Sequence, residues 1–248
     1  MIDWLLAPID SARGHHLTEL VAWHARVMVL AWCLLFPIGV LIARFFKIMP
    51  KQNWPEQLDN KTWWRGHLVL QYAGGAALLA GVVLIIATPS EGAARGLHAL
   101  IGWSITSIAI TQFLGGWLRG SKGGPTAPAS DGSFDGDHYS MTPRRRIFER
   151  IHKSVGYIGL IGAVGAVLSG LWLSNAPRWM WLTLIMWWTA LIAAALFFQR
   201  RGRAIDTYQA IWGPDSNLPG NKIPPIGWGI RRPRASTQLK SKQPDQPK

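Results

Sequence analysis

Four histidines are the residues of this chain best suited to chemistry. His24, His67, His98 and His152 stand in AWHARVMVLAW, WRGHLVLQYAG, RGLHALIGWSI and ERIHKSVGYIG, each a few residues inside the N-terminal end of a long apolar run. Imidazole ligates metals through one ring nitrogen while the other holds a hydrogen bond. Burying it in hydrocarbon is costly, so an intramembrane histidine is a functional candidate by default. At matched depth, the four read as two pairs of ligands.

The elements that must position them are the apolar runs. Of 248 residues, 49% are hydrophobic and 16% charged, with 15 tryptophans, which places the chain in the membrane class. The runs extend from about Leu20 to Phe46, Trp64 to Ala87, Ala93 to Leu118, Ile151 to Leu173 and Trp179 to Phe198. Each is close to the ~20 residues a spanning helix needs. Backbone hydrogen bonds must close within each run, so helices are expected. Pro37 predicts a kink in the first.

The net charge of +13 is distributed as a membrane protein distributes it, which argues against nucleic acid as a partner. Arg44, Lys47, Lys51, Lys61 and Arg65 join the first two runs. Arg119, Lys122, Arg144, Arg145, Arg146, Arg150 and Lys153 lie around the connection between the third and fourth, and Arg200, Arg201 and Arg203 follow the fifth. The other side has only Arg13, Arg95 and Arg178. This bias predicts the N-terminus outside and the C-terminus cytoplasmic, and an integral protein of a bacterial inner membrane is the expected setting. No cleaved signal peptide is expected at the N-terminus.

Because successive helices enter from opposite sides, His24 and His98 fall toward the outer face and His67 and His152 toward the inner one. A haem clamped between two imidazoles needs one histidine from each of two facing helices, and the arrangement supplies this twice. Cys33 is the only cysteine, so no internal disulfide and no C-x-x-C-H attachment is possible, and the haems must be held non-covalently. With both axial positions filled, such a centre suits electron transfer rather than oxygen chemistry. No Asp or Glu falls within the five runs as bounded above, which disfavours the alternative of a His-dependent metal or proton transporter. The expected fold is an all-α integral membrane bundle of five transmembrane helices, with a four-helix dihaem core. A short outer segment, 1–19, precedes the membrane domain, 20–199, with a cytoplasmic loop at 119–149. A basic Gly/Pro-rich tail, 200–248, follows.

Several further residues belong to this reading. Gly74, two turns beyond His67, and Gly156, one turn beyond His152, would let a flat ring approach the backbone, although glycine is common at any membrane helix interface. Arg26 either snorkels outward or pairs with a propionate of the outer haem. His15, His16 and His138 sit in polar segments and are expected at the surface. Asp131, Ser133, Asp135 and Gly136 imitate the start of a calcium loop, but Thr142 stands where the closing Glu belongs. The tail beyond Asp206 is expected to be irregular, resting on the inner surface through Trp212 and Trp228, and the last dozen or so residues disordered.

The stretches WHARVMVLAWCLLFPIGVLIARFFK, WWRGHLVLQYAGG, LHALIGWSITSIAITQFLGGWLRG and IHKSVGYIGL resemble the cytochrome b561 family. They are most similar to the branch of ferric-chelate-reductase-like and DOMON-containing proteins. The resemblance covers about Trp23 to Leu173. It implies a transmembrane core with two b haems, carrying electrons between faces, with His24, His67, His98 and His152 as ligands. In ascorbate-using members, a basic residue two before the second ligand and another six before the fourth hold cytoplasmic ascorbate; these positions are Arg65 and Arg146. An outer DOMON or haem domain is expected to be a separate partner. The five spans depart from the six common in animal and plant members. Donor and acceptor stay open: an ascorbate-like reductant, a quinol or a redox protein, or, alternatively, a quinone-reactive role as the b-type subunit of a larger dehydrogenase complex.

Overall fold

A computed structural model describes residues 2–14, 17–88, 96–124 and 131–233. His15, His16, Arg95 and residues 234–248, with the expectations attached to them, lie outside the described residues. A short helix α1 (Ile2–Leu6) precedes five long ones: α2 (Glu19–Phe45), α3 (Thr62–Ile86), α4 (Leu97–Trp117), α5 (Pro143–Leu173) and α6 (Arg178–Arg200). At 1.5 Å per residue, helices of 21 to 31 residues span a hydrocarbon core of ~30 Å. Among the described residues no strand forms.

The first span absorbs its proline by changing pitch. Its two α-helical parts, Glu19–Val29 and Phe36–Phe45, are joined by a π turn at Leu30–Leu35, and Pro37 falls in the first turn of the second part. Proline lacks the N–H an α-helix needs at that point, and a wider turn redistributes the missing bond.

Two antiparallel hairpins, α2–α3 and α4–α5, carry the most extensive packing. All four helices meet in one core of Ala31, Trp32, Phe36, Leu78, Ile105, Ala109, Ala163 and Ala166. Alanines on α5 let α2 and α4 approach closely, as small residues do in membrane bundles. Outside the core, large apolar side chains such as Leu79, Val83, Ile110, Ile161 and Met186 are exposed on every long helix. Such a belt fits a lipid environment and is larger than soluble surfaces tolerate. Ser104, Thr106, Ser107 and Thr111 on α4 each donate to the carbonyl four residues earlier, which satisfies their hydroxyls on faces that are exposed or only half-buried.

Helix α5 begins earlier than the apolar run predicts, within the stretch expected as loop. Thr142 caps it, accepting from Arg145 N at 3.4 Å, and Pro143 occupies its first turn. The extra turns bring Glu149 into the helix, where the sequence reading places no carboxylate. Arg145, Glu149 and Lys153 then share one face at four-residue spacing.

The tail also differs from expectation. After α6 the chain folds back over the end of the bundle, and helix α7 (Thr207–Trp212) is buried along its whole length. Asp206 accepts from Tyr208 N and pairs with Arg232 at 2.6 Å. Trp212 docks into a core with Trp63, Met141, Tyr208, Ile211 and Ile226, whereas Trp228 is 80% exposed. Gly124, at φ +87°, faces the Trp212 ring with no room for a Cβ, so only glycine lets that ring seat. At the opposite end, Asn175 holds residues 10–13 against the end of α5. Residues 2–14 and 201–233 thus cover opposite ends of the bundle, the N-terminal and C-terminal faces.

Candidate functional site

At the N-terminal face, the His24 and His98 rings are 6.4 Å apart between centroids, with planes crossed at 85°. Two nitrogen–metal bonds of about 2 Å, plus roughly 1 Å from each nitrogen to its ring centre, span about 6 Å. The gap therefore matches two imidazoles on opposite sides of one metal ion. His24 Nδ1 lies 2.8 Å from Gly81 O, and His98 Nδ1 lies 3.0 Å from Ala166 O and 3.1 Å from Ser169 Oγ. A carbonyl only accepts, so Nδ1 carries the proton in both rings and Nε2 keeps its lone pair for a metal. Gly170 makes room for this arrangement, because a Cβ there would lie 3.1 Å from His98 Cε1.

At the C-terminal face, His67 repeats the pattern, its Nδ1 3.0 Å from Gly39 O. His152 stacks on Phe148 at 5.1 Å, and its buried Nδ1 has no protein partner. Both histidines line a cavity of about 490 Å³. Its lining includes the apolar Trp32, Phe36, Phe113 and Leu160 and the charged or titratable Arg119, Lys122, His138, Arg145 and Glu149. That volume and mix of apolar wall with few polar groups are those of a cofactor pocket. A flat apolar macrocycle with acidic edges suits a lining that is apolar over most of its area and carries several basic residues.

Hydrogen bonds also fix the axial spacing. His24 is level with Gly81 on α3, and His67 is level with Gly39 on α2. The fifteen or so residues between levels on each helix put the pairs about 20 Å apart at 1.5 Å per residue. Trp32 and Phe36, with ring centroids 4.8 Å apart, stand between them.

The remaining sequence candidates are dispersed. Gly156 lines the cavity, and a Cβ there would meet Gln112 Oε1 at 3.6 Å. Gly74 instead faces the Phe36 ring, where a Cβ would sit 2.6 Å from Cε1. Arg26 is exposed, its guanidinium 4.9 Å from the Trp23 ring centre. Arg65 is exposed and Arg146 half-buried with Nε unpartnered, and neither is among the residues lining the cavity.

The charged part of the lining is built from other residues. Glu149 accepts from Arg145 at 3.1 Å and from Lys153 at 2.7 Å, and Lys122 pairs with Asp59. His138, expected at the surface, is 2% exposed beneath Tyr208 and Trp212, because the C-terminal segment folds over it. Burial, reinforced by nearby Arg145, lowers its pKa to about 3 and keeps the ring neutral. The Arg–Glu–Lys spacing on α5 was legible in sequence; the cover over His138 had no local signal.

Fold and site together define a helical membrane protein with His24 beside His98 at one end of the bundle and His67 and His152 lining one cavity at the other. No family model matches the chain, and no solved structure matches it. Among curated proteins it is 27% identical over 148 residues to a cytochrome b561, DM13 and DOMON domain-containing protein of Arabidopsis thaliana, covering 60% of this chain and 14% of that protein. It is 28% identical over 166 residues to ferric-chelate reductase 1 of Mus musculus, covering 65% of this chain and 24% of the relative. The human protein of the same name is 28% identical over 159 residues, covering 64% and 24%. The chain is thus related to b561-type proteins, and the match spans about a quarter or less of each of these relatives.

Proposed function

We propose that this protein carries electrons across a membrane through two non-covalently held b haems. His24 and His98 would hold one at the N-terminal face, and His67 and His152 the other at the C-terminal face. The observation that carries the reading is the 6.4 Å gap between His24 and His98, each with Nδ1 at a carbonyl. Bis-imidazole haem supplies a one-electron Fe(III)/Fe(II) couple without an open coordination position.

The chain's own residues do the rest. Gly81, Gly39 and Ala166 carbonyls orient three imidazoles so that Nε2 points away from the hydrogen bond. The shared core of α2 to α5 keeps water out between the two levels. Gly156 leaves open wall beside His152, and Arg26, stacked on Trp23, would pair with an acidic edge of the group held at the N-terminal face. Loop charge supports an orientation with the C-terminal face cytoplasmic, residues 20–199 as the membrane domain and the basic segment after 200 on the inner side. Relatives named ferric-chelate reductases and DOMON proteins make a ferric chelate, or a separate outer redox domain, the acceptors to assay. Ascorbate-like reductants and quinols are the donors to assay, with Arg65 and Arg146 as the first anion contacts to test.

Gently purified protein is expected to give a b-type reduced spectrum and about two haems per chain by pyridine haemochrome. Folded protein free of haem would overturn the reading. His98→Ala should remove one haem and leave the other.

A further inference from the structure

Among the described residues, Lys47 is the buried cation that its neighbours do not neutralise directly. It follows the first span, at a position where lysine ordinarily snorkels into water. Here it is 5% exposed, because the segment after α6 closes over it: Ala204 is fully buried, Asp206 nearly so, and Arg203 donates to Phe45 O and Ile48 O on either side. An ammonium has three donors, but Nζ donates only to Arg44 O, at 3.3 Å. Among the described residues no carboxylate lies within ion-pair distance of it. Yet Lys47 lines the same cavity as His67 and His152.

We propose that Lys47 is the redox-linked proton acceptor of the C-terminal-face centre, taking up one proton as one electron enters. The inference rests on haem binding by His67 and His152. The electron comes from the donor, the proton comes from water at the cavity mouth, and the neutral amine becomes ammonium, so the pocket's net charge does not change. In a water-poor pocket an uncompensated added charge is costly, which couples the two events.

The charged groups around Lys47 leave its own charge finely balanced. Lys153 on α5 and Arg44 on α2 oppose a further cation, whereas Asp206 in the C-terminal segment and Glu149 on α5 favour one; Arg203 lies nearby, bonded to Ile48 O, and His67 on α3 is coupled to Lys47 through charge. Burial is the dominant effect and lowers the Lys47 pKa to about 7, so the amine changes charge at physiological pH. An added electron nearby favours the ammonium and moves that pKa upward. Below the oxidised-state pKa the amine is protonated in both redox states and the potential is flat. Above it, the potential falls as pH rises, until the reduced-state pKa is passed.

Spectroelectrochemical titration of the full chain in lipid nanodiscs at a series of pH values reads this directly, with the centre assigned by difference from His98→Ala. The wild-type midpoint of the C-terminal-face haem is expected to fall with pH above neutrality. Lys47→Arg, always charged, should give a higher potential without that slope, and Lys47→Met a lower one without it. In parallel, ¹³C-dimethylation of lysines gives an NMR signal for Lys47, identified by its loss in Lys47→Arg. That signal should titrate near neutrality in oxidised protein and at higher pH after reduction. A flat wild-type midpoint, a slope kept in both variants, or a titration unmoved by reduction overturns the proposal while leaving two haems in the assay. Absence of haem from folded protein overturns it together with the function it rests on.

Discussion

Trp187 Nε1 donates to Cys33 O at 2.7 Å, and this bond ties the fifth long helix to the first. Cys33 stands four residues before Pro37, whose nitrogen carries no hydrogen, so its carbonyl lacks the usual helical donor. A tryptophan from α6 supplies one. Trp187→Phe is expected to leave that carbonyl unsatisfied and destabilise the bundle by about 1–3 kcal/mol. Pro37→Ala restores a backbone donor, so the pair should be non-additive in thermal unfolding in detergent. Strict additivity would show that the bond does no linking.

Gly170 is the second position where one atom decides the outcome. A Cβ there would already stand 3.1 Å from His98 Cε1, and the branched side chain of valine fills the remaining space. Gly170→Val is expected to displace His98 and lower haem content by about half, with the haem at His67 and His152 retained. Gly102 on α4 has nothing within 4 Å of its ideal Cβ, so Gly102→Ala is the control that keeps both. Equal haem content in the two variants would remove Gly170 from the site.

Much of the membrane core is legible from local pattern. Run length and loop charge define the spans, and histidine depth along antiparallel helices brings His24 beside His98. What sequence does not show depends on chain segments distant from the residue concerned. His138 and Lys47 look solvent-facing in their polar contexts, and both are buried by the segment after α6. Pro37 predicts a bend, but its resolution as a π turn with a donor from Trp187 depends on a helix 150 or so residues away. Arg65 and Arg146 read as basic residues at useful spacing; which arginine in the first turns of α5 lines the cavity is decided by helical phase, and of Arg144, Arg145 and Arg146 it is Arg145.

Asn175 should prove the fastening of the N-terminal segment. It is 1% exposed in a left-handed conformation, φ 47°, just past the end of α5. Its Nδ2 donates to Asp10 O at 2.9 Å and to Arg13 O at 2.8 Å, while Oδ1 accepts from Asp10 N at 3.1 Å. Asn175→Gly keeps the backbone conformation and deletes only these bonds. Hydrogen exchange of residues 2–14 should accelerate by an order of magnitude or more, consistent with roughly 1–3 kcal/mol of local stability. Unchanged exchange would place the anchor elsewhere, with the Arg178 Nη1 bond to Trp4 O as the next candidate.

Acid should loosen the cover over the C-terminal face through His138. Burial lowers its folded pKa to about 3, whereas an unfolded histidine titrates near 6.5. Below about 6.5 the unfolded chain therefore binds a proton that the folded chain does not, and stability falls as pH drops toward about 3. Above about 6.5 both forms are neutral at this site, and its contribution is constant. The slope from this one group is at most about 1.4 kcal/mol per pH unit. Asp137 pulls the same way, since hydrogen bonds from Thr142 and Ser121 lower its carboxyl pKa and their benefit is lost in acid. His138→Phe fills the same aromatic slot between Tyr208 and Trp212 without a titrating nitrogen. Limited proteolysis after α6, followed from pH 8 to pH 4, is expected to speed up in the wild type and much less in His138→Phe. Equal acid sensitivity in both would assign the effect to the carboxylates.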